Sequence, residues 1–440
     1  MRRMVFLGLY LGCGMLLAQV AVGPAPAQGQ QADEAVRFKI TNPGQALYKM
    51  AIPTPAGDPQ LAGLIQEVLT NDLLLSGLFR PLDPRSFLAD LQADELNMNP
   101  EVWKAVGAEG VIKSRVSQGG GELLLDCRLY EVVKGGTSVL SRQYRLPLTE
   151  ARRAAHRFAA EVVKYFTGED SFFGTQIAFG RGPSGKQEIA VMDWDGAGVR
   201  TVTTNGAHNM LPSWHPSGQH LLYTTFARGT PDLFSVPVTG GRGKRISTRP
   251  GLNTGGVWSP DGKKIAVTLS QDGNAEIYLL SPEGVVLSRL TNNPFNDLSP
   301  SWSPDGSQIA FVSDRYGTPQ IWIMSATGAG QTKITRQGNY NQEPAWAPRP
   351  IGGQPAIAFS GRDENLVYDI FLVNPLTQEI TRLTENRGSN QHPSWAPNGR
   401  ALVYQSSRGG LFVATADGKT ERQVFKGRAS TPSWGPMVKP

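Results

Sequence analysis

Along the second part of the chain, short runs of apolar and aromatic residues alternate with clusters of Gly, Pro, Asn and Asp at a fixed interval. Each unit begins with Trp-x-Pro, at Trp214, Trp258, Trp302, Trp346, Trp395 and Trp434, spaced 44, 44, 44, 49 and 39 residues apart. A turn and an apolar run follow, as in HLLYTT, KIAVTL, QIAFVS, AIAFSG and ALVYQS, with QIAFGR at Gln176 ahead of the first Trp. A second run (EIAVMD, DLFSVP, EIYLLS, QIWIMS, DIFLVN, GLFVAT) and a third (RTVTT, KRIST, SRLTN, TKITR, TRLTE, RQVFK) complete the unit. Four β-type runs per unit of about 40–45 residues predict the four-stranded blades of a β-propeller, here with six blades.

The order of the pieces predicts how the ring closes. The first copy starts at the Gln176 strand, and the last ends on PSWGP, so the C-terminal Trp strand completes the blade begun at Gln176. That closure removes the open seam a ring of sheets would otherwise present. WSPDG, at Trp258 and again at Trp302, reads as a strand end plus a tight turn, with Gly supplying positive φ. The tryptophans are expected to pack between blades rather than to bind a ligand.

The pattern changes ahead of Gln176. VRFKIT and ALYKMAIPT are strand candidates, and Asp58-Pro59 opens an amphipathic helix with Leu61, Leu64, Ile65, Val68 and Leu69 on one face, stopped by Gly77. Asn99-Pro100 opens a short helix, residues 110–146 read as a glycine-punctuated strand meander, and Thr149 to about Phe166 as a further helix. The expected organisation is an α/β domain over 35–167, a linker over 168–174 and an all-β propeller over 175–436.

The first residues, MRRMVFLGLYLGCGMLLAQVAVGPAPAQ, place a basic pair before an apolar run and a small-residue exit, which predicts a secretory signal over 1–27. The run approaches the roughly 20 residues that span a bilayer, but its glycines and Pro-rich exit favour cleavage over an anchor. Residues 10–12, Tyr-Leu-Gly, fit a lipidation box at Cys13 poorly. Without the signal, 41 basic residues face 37 acidic ones, with no block of like charge, which argues against a nucleic-acid partner. Cys127 is then the single thiol, expected to be a small buried hydrophobe, and no internal disulfide is available.

Catalytic motifs are absent: there is no Gly-x-Ser-x-Gly, P-loop or His-Glu-x-x-His. The spacings of His208, His215 and His220 match no common metal site, so neither metal nor cofactor is expected. Five residues before each repeat Trp stand Asn209, Asn253, Asp297, Asn341 and Asn390, with Ala429 at the sixth place. Asn and Asp there cap turns by bonding their own backbone. Their neighbours vary, which is how a fixed frame presents a recognition surface at a channel mouth. Glu343 and His392, on adjacent loops, are the one candidate acid–base pair.

An exported α/β domain joined to this propeller resembles the TolB family, periplasmic components of the Tol-Pal system. LIQEVLTNDLLLSGLFRPLD, Leu64 to Asp83, is similar to the first-domain helix and strand of that family. The resemblance implies a periplasmic, non-enzymatic adaptor that supports outer-membrane integrity and envelope constriction during division, monomeric outside its complex. It implies that the lipoprotein Pal docks over the propeller mouth, at positions matching Leu252, Asn253, Gly255, Leu298 and Ser299, with Glu343 and His392 on the same rim. The family's well-studied members carry His where Leu252 stands and Thr-Glu where Leu298-Ser299 stand. It further implies that TolA is reached through the N-terminal segment, here including Val36, Arg37, Phe38, Lys39 and Ile40. The competing expectation is an exported propeller that binds or hydrolyses peptides or glycans.

Overall fold

The structure, a computed structural model, describes residues 47–87 and 95–437. The predicted signal, the VRFKIT strand and the segment from Val36 to Ile40 lie outside the described residues. The first domain is a sheet of six strands, β1 (Tyr48–Ala51), β2 (Ala56–Gly57), β3 (Phe79–Pro81), β4 (Gly110–Gly119), β5 (Glu122–Glu131) and β6 (Leu140–Pro147). The order is β3-β1-β4-β5-β6, with β2 paired to β4; β1 runs parallel to β3 and β4, and β4, β5 and β6 form an antiparallel meander.

Helices α1 (Pro59–Leu75) and α3 (Ala151–Thr167) cover one face, and the short α2 (Pro100–Ala105) carries Trp103 into a smaller cluster with Val111 and Tyr130. Asp58 caps α1 as its sequence predicts, its carboxylate accepting from Gln60 N and Leu61 N at 3.0 Å. Gly77, at φ +70°, turns the chain out of that helix. Helix α3 starts two residues later than expected. Pro147 ends β6, a 3-10 turn takes up Leu148–Glu150, and Thr149 caps nothing. Cys127 is buried beside Ser114 in β4, and burial pushes its thiol up to about 12, so it packs rather than reacts.

Six antiparallel sheets of four strands follow. Their inner strands are Asn209–Trp214, Asn253–Trp258, Asp297–Trp302, Asn341–Trp346, Asn390–Trp395 and Ala429–Trp434. We number the blades one to six in that order. The sixth consists of Ala429–Trp434 with Gln176–Arg181, Glu188–Asp193 and Arg200–Thr201, so the ring closes as its sequence predicts. The WSPDG turns have Gly262 and Gly306 at φ +70°. The 49-residue spacing to Trp395 reflects a longer turn in the fourth blade, where Ile351 and Gln354 form an isolated bridge.

Tryptophans fasten neighbouring blades. Trp302 Nε1 donates to Val257 O of the second blade, Trp395 Nε1 to Ala345 O of the fourth and Trp214 Nε1 to Ser433 O of the sixth. The sixth, Trp434, instead donates to Thr175 Oγ1, at the end of the segment that joins the two domains.

Residues 168–174 are a packed joint. Phe172 is buried between Trp194 and Trp434, ring centroids 5.0 and 5.3 Å away, and Phe173 stacks on Trp194. Glu169 binds Arg349, from the longer turn, and Arg400, each at 2.7 Å. Beside this joint, His156 of α3 lies between Asp72 of α1 (Nδ1 to Oδ2, 2.7 Å) and Asp195 of the sixth blade (Nε2 to Oδ2, 3.2 Å), with Arg152 also on Asp195.

Candidate functional site: the mouth of the propeller channel

Every inner strand carries one extra residue. Pairing with the next strand slips between the second and fifth positions in all six blades, the signature of a β-bulge. The third position is left-handed each time: Leu211 (φ 52°), Gly255 (63°), Ser299 (53°), Glu343 (59°), His392 (55°) and Thr431 (47°). Such φ values cost energy for residues other than Gly, and bulges recur where a side chain must be re-aimed. Here they turn five dissimilar side chains and one glycine toward a shared cavity.

The strain is held by bonds between blades. Leu211 N donates to Thr431 Oγ1, Gly255 N to Thr224 Oγ1 and Thr431 N to Gln405 Oε1, each acceptor lying on the preceding blade. His392 N donates to Glu343 Oε2 (2.8 Å) and Ser360 Oγ (3.1 Å) in the same sense. The result is a cavity of about 390 Å³ lined by the six bulge residues and by Pro212, Pro300, Pro344, Pro393 and Pro432 at the following position. The second blade has Gly256 there, where a Cβ would meet the Leu233 side chain at 2.8 Å.

Gly255, Leu298, Ser299, Glu343 and His392 therefore come together in one lining, within the channel rather than on loops above it. Leu252 is half-buried on the loop before its strand, where its N–H donates to Ser270 Oγ, and it does not line the cavity. Asn253 needs a correction. It is fully buried, and its amide donates to Arg249 O and Gly251 O while its oxygen accepts from Ser247 Oγ and Arg249 N. A side chain so enclosed holds the frame and has no surface to give a partner.

The other asparagines of that series behave alike, whereas Asp297 accepts from Asn293 and Arg315. Asn209 reaches Glu188, Asn341 reaches Gln320 and Asn390 reaches Asp369, all buried or half-buried polar groups on the preceding blade. The capping expectation is met and exceeded, because the same amides also bridge blades.

Glu343 and His392 form a pair, Nε2 to Oε1 at 3.0 Å. Burial opposes ionisation of Glu343, but His392 and the Ser360 hydroxyl (2.6 Å) hold its carboxyl below the usual range. Both carboxylate oxygens are thereby occupied, which suits a positioning role more than general-base work. Among the described residues no group of three or more His, Cys, Asp and Glu is arranged to hold a metal. None of the described helices is long and apolar enough to cross a membrane.

These features define the class of the fold, a six-bladed β-propeller preceded by an α/β domain, with a ring of left-handed bulge residues at its channel mouth. The profile described as "TolB beta propeller domain" matches residues 163–438, and that described as "TolB amino-terminal domain" matches residues 36–138. The chain belongs to the TolB family. It is 39% identical over 228 residues to the Tol-Pal system protein TolB of Anaeromyxobacter dehalogenans (strain 2CP-C), covering 50% of this chain and 51% of that one. It is 31% identical over 252 residues to the protein of the same name from Paramagnetospirillum magneticum, covering 54% of each. The chain thus spans about half the length of the curated relatives it matches. The crystal structure of TolB from Acinetobacter baumannii superposes with a TM-score of 0.75 at 25% identity, covering 90% of this chain and 98% of that one.

Proposed function

We propose that this protein is a non-enzymatic periplasmic adaptor of the Tol-Pal system. Its channel mouth binds Pal, and the segment including Val36, Arg37, Phe38, Lys39 and Ile40 binds TolA. The observation that carries the reading is the ring of six left-handed bulge residues around a cavity of about 390 Å³. It combines a rigid frame with five different side chains and a glycine, the requirement for recognising one partner surface. Leu298 and Ser299 stand in that lining, so the mouth is more apolar than the pattern expected for the family. Pal binding and TolA binding are linked by a population shift of the N-terminal segment, and each partner alters the affinity of the other by the same factor.

Calorimetric titration of residues 28–440 with the soluble domain of Pal from the same organism tests this. Saturable binding that a Leu298→Asp variant loses is the expected result. No binding by the wild type at tens of micromolar would overturn the reading. The competing hydrolase reading draws on the Glu343–His392 pair, and turnover of any member of a peptide and glycoside panel, abolished in Glu343→Gln, would revive it.

A further inference from the structure

Arginines on this protein are paired almost wherever they are partly buried. On the mouth face, Arg315 binds Asp297, Arg289 binds Glu276 and Arg387 binds Glu421. Arg362 is different. Among the described half-buried arginines it alone has neither an ion pair nor a side-chain hydrogen bond, and its Nε is buried without a partner. The rest of the guanidinium reaches solvent with no counter-charge beside it, and an unsatisfied buried donor in a native fold asks for an explanation.

Its position supplies one. Arg362 ends the second strand of the fourth blade, its N–H donates to Tyr340 O, and its guanidinium lies over the Tyr340 ring, 4.7 Å from the centroid. Tyr340 lines the channel mouth, and Arg362 lines an adjoining cavity of about 410 Å³ together with Gln337, Asn339 and Asp363. Asp363 is not its partner. That carboxylate accepts from Asn365 N and Val367 N and binds Arg382 at 3.1 Å. Glu364, on the same cavity, is exposed and forms no ion pair with it. Besides residues of the six inner strands, the mouth cavity is lined by Val312, Pro319 and Tyr340, and Tyr340 is the residue over which Arg362 lies.

We propose that Arg362, held against Tyr340, is a carboxylate-binding subsite beside the channel mouth, and that it takes an acidic side chain of the protein docked there. The inference rests on the mouth being a protein-binding site. A planar guanidinium stacked on an aromatic ring keeps its edge free for a bidentate carboxylate, which Lys cannot match. The partner's acid then completes the ion pair that the fold leaves open, giving specificity and a salt-dependent association rate.

The test compares wild type, Arg362→Gln and Arg362→Lys in titrations with the soluble Pal domain at two salt concentrations, with thermal melts to check folding. The expected result is about tenfold weaker binding for Arg362→Gln, loss of part of the salt dependence, and an intermediate value for Arg362→Lys. Acid-to-alanine variants of Pal should include one whose effect vanishes in the Arg362→Gln background. Unchanged affinity in Arg362→Gln, or no acidic Pal position that couples to it, overturns the subsite and leaves the mouth reading intact. Absence of wild-type binding overturns the mouth reading, and the subsite with it.

Discussion

Replacing Asp195 by Asn removes one charge from the cluster that ties the first domain to the sixth blade. The Asp195 side chain is 2% exposed; it faces His156 Nε2 at 3.2 Å and also binds Arg152, whose side chain is 36% exposed. Breaking a buried ion pair by deleting one partner costs about 3–5 kcal/mol. His156 keeps Asp72 at 2.7 Å and Arg152 is partly solvated, so the expected loss is smaller, about 2–3 kcal/mol. Urea unfolding measures it, provided the fluorescence and far-UV transitions coincide and so report joint unfolding of the two domains. Asp195→Asn, His156→Gln and the double variant form a cycle whose coupling should reach about 1–3 kcal/mol.

The same cluster predicts a pH dependence with a definite sign. Burial works against a charged His156 ring, but Asp72 and Asp195 outweigh it and raise its pKa to about 9. For Asp72 the balance tips the other way, and burial, larger than the pull of His156, raises it to about 6. Asp195, against its own burial, is held at about 2 by His156 and Arg152. Between pH 6.5 and 9 Asp195 is ionised in folded and unfolded chains alike and Asp72, at about 6 when folded, is mostly so, which leaves His156 as the main titrating group of the three. Its folded pKa lies above its unfolded one, so its stabilisation is fully present below about 6.5 and is lost as pH rises through about 9. The difference in stability between wild type and His156→Gln should therefore shrink by about 3 kcal/mol across that window. An Asp195→Asn loss under about 0.5 kcal/mol with no coupling, or a flat difference from pH 6.5 to 9, would falsify the assignment of a charged bridge.

Two further substitutions test the frame of the propeller. Gly196 sits at φ +94°, and a Cβ there would fall 1.8 Å from Val424 O on the fifth blade, so Gly196→Ala should cost more than about 3 kcal/mol or prevent folding, read as loss of the cooperative melt. Asn390→Ala removes a fully buried amide that donates to Gly388 O and Asp369 Oδ1, with an expected loss of about 2 kcal/mol in urea; an unchanged midpoint would reduce the Asn series to turn chemistry.

How much of this was legible in the sequence depends on whether a feature repeats. The blade count, the closure through Trp434 and the turns after Trp258 and Trp302 follow from a period that six copies make unmistakable, because each copy solves the same packing problem. The Asn series was visible for that reason too, yet its burial was not, since a turn cap and a bridge between blades use the same residue type. The one compositional trace of the bulge is the proline that follows it in five of the six blades. Leu, Gly, Ser, Glu, His and Thr share no property that favours positive φ, so only the backbone register shows that they converge. Arg362 was invisible for the opposite reason, because its distinction is a missing partner, and pairing across blades is a property of the fold.

These two kinds of invisibility bear on function together. Positions that repeat in chemistry, the Trp and Asn series, are spent on holding the ring, whereas the positions facing the channel repeat in backbone shape and differ in side chain. Substitution at the mouth is therefore cheap for the fold as long as the interblade acceptors of the Leu211, Gly255, His392 and Thr431 N–H groups survive. Thr431, Gln405 and Thr224 supply acceptors and are constrained accordingly. Glu343, as acceptor for His392 N, and Thr431, as acceptor for Leu211 N, also line the mouth, so at these two positions loss of partner binding and loss of stability should be hardest to separate.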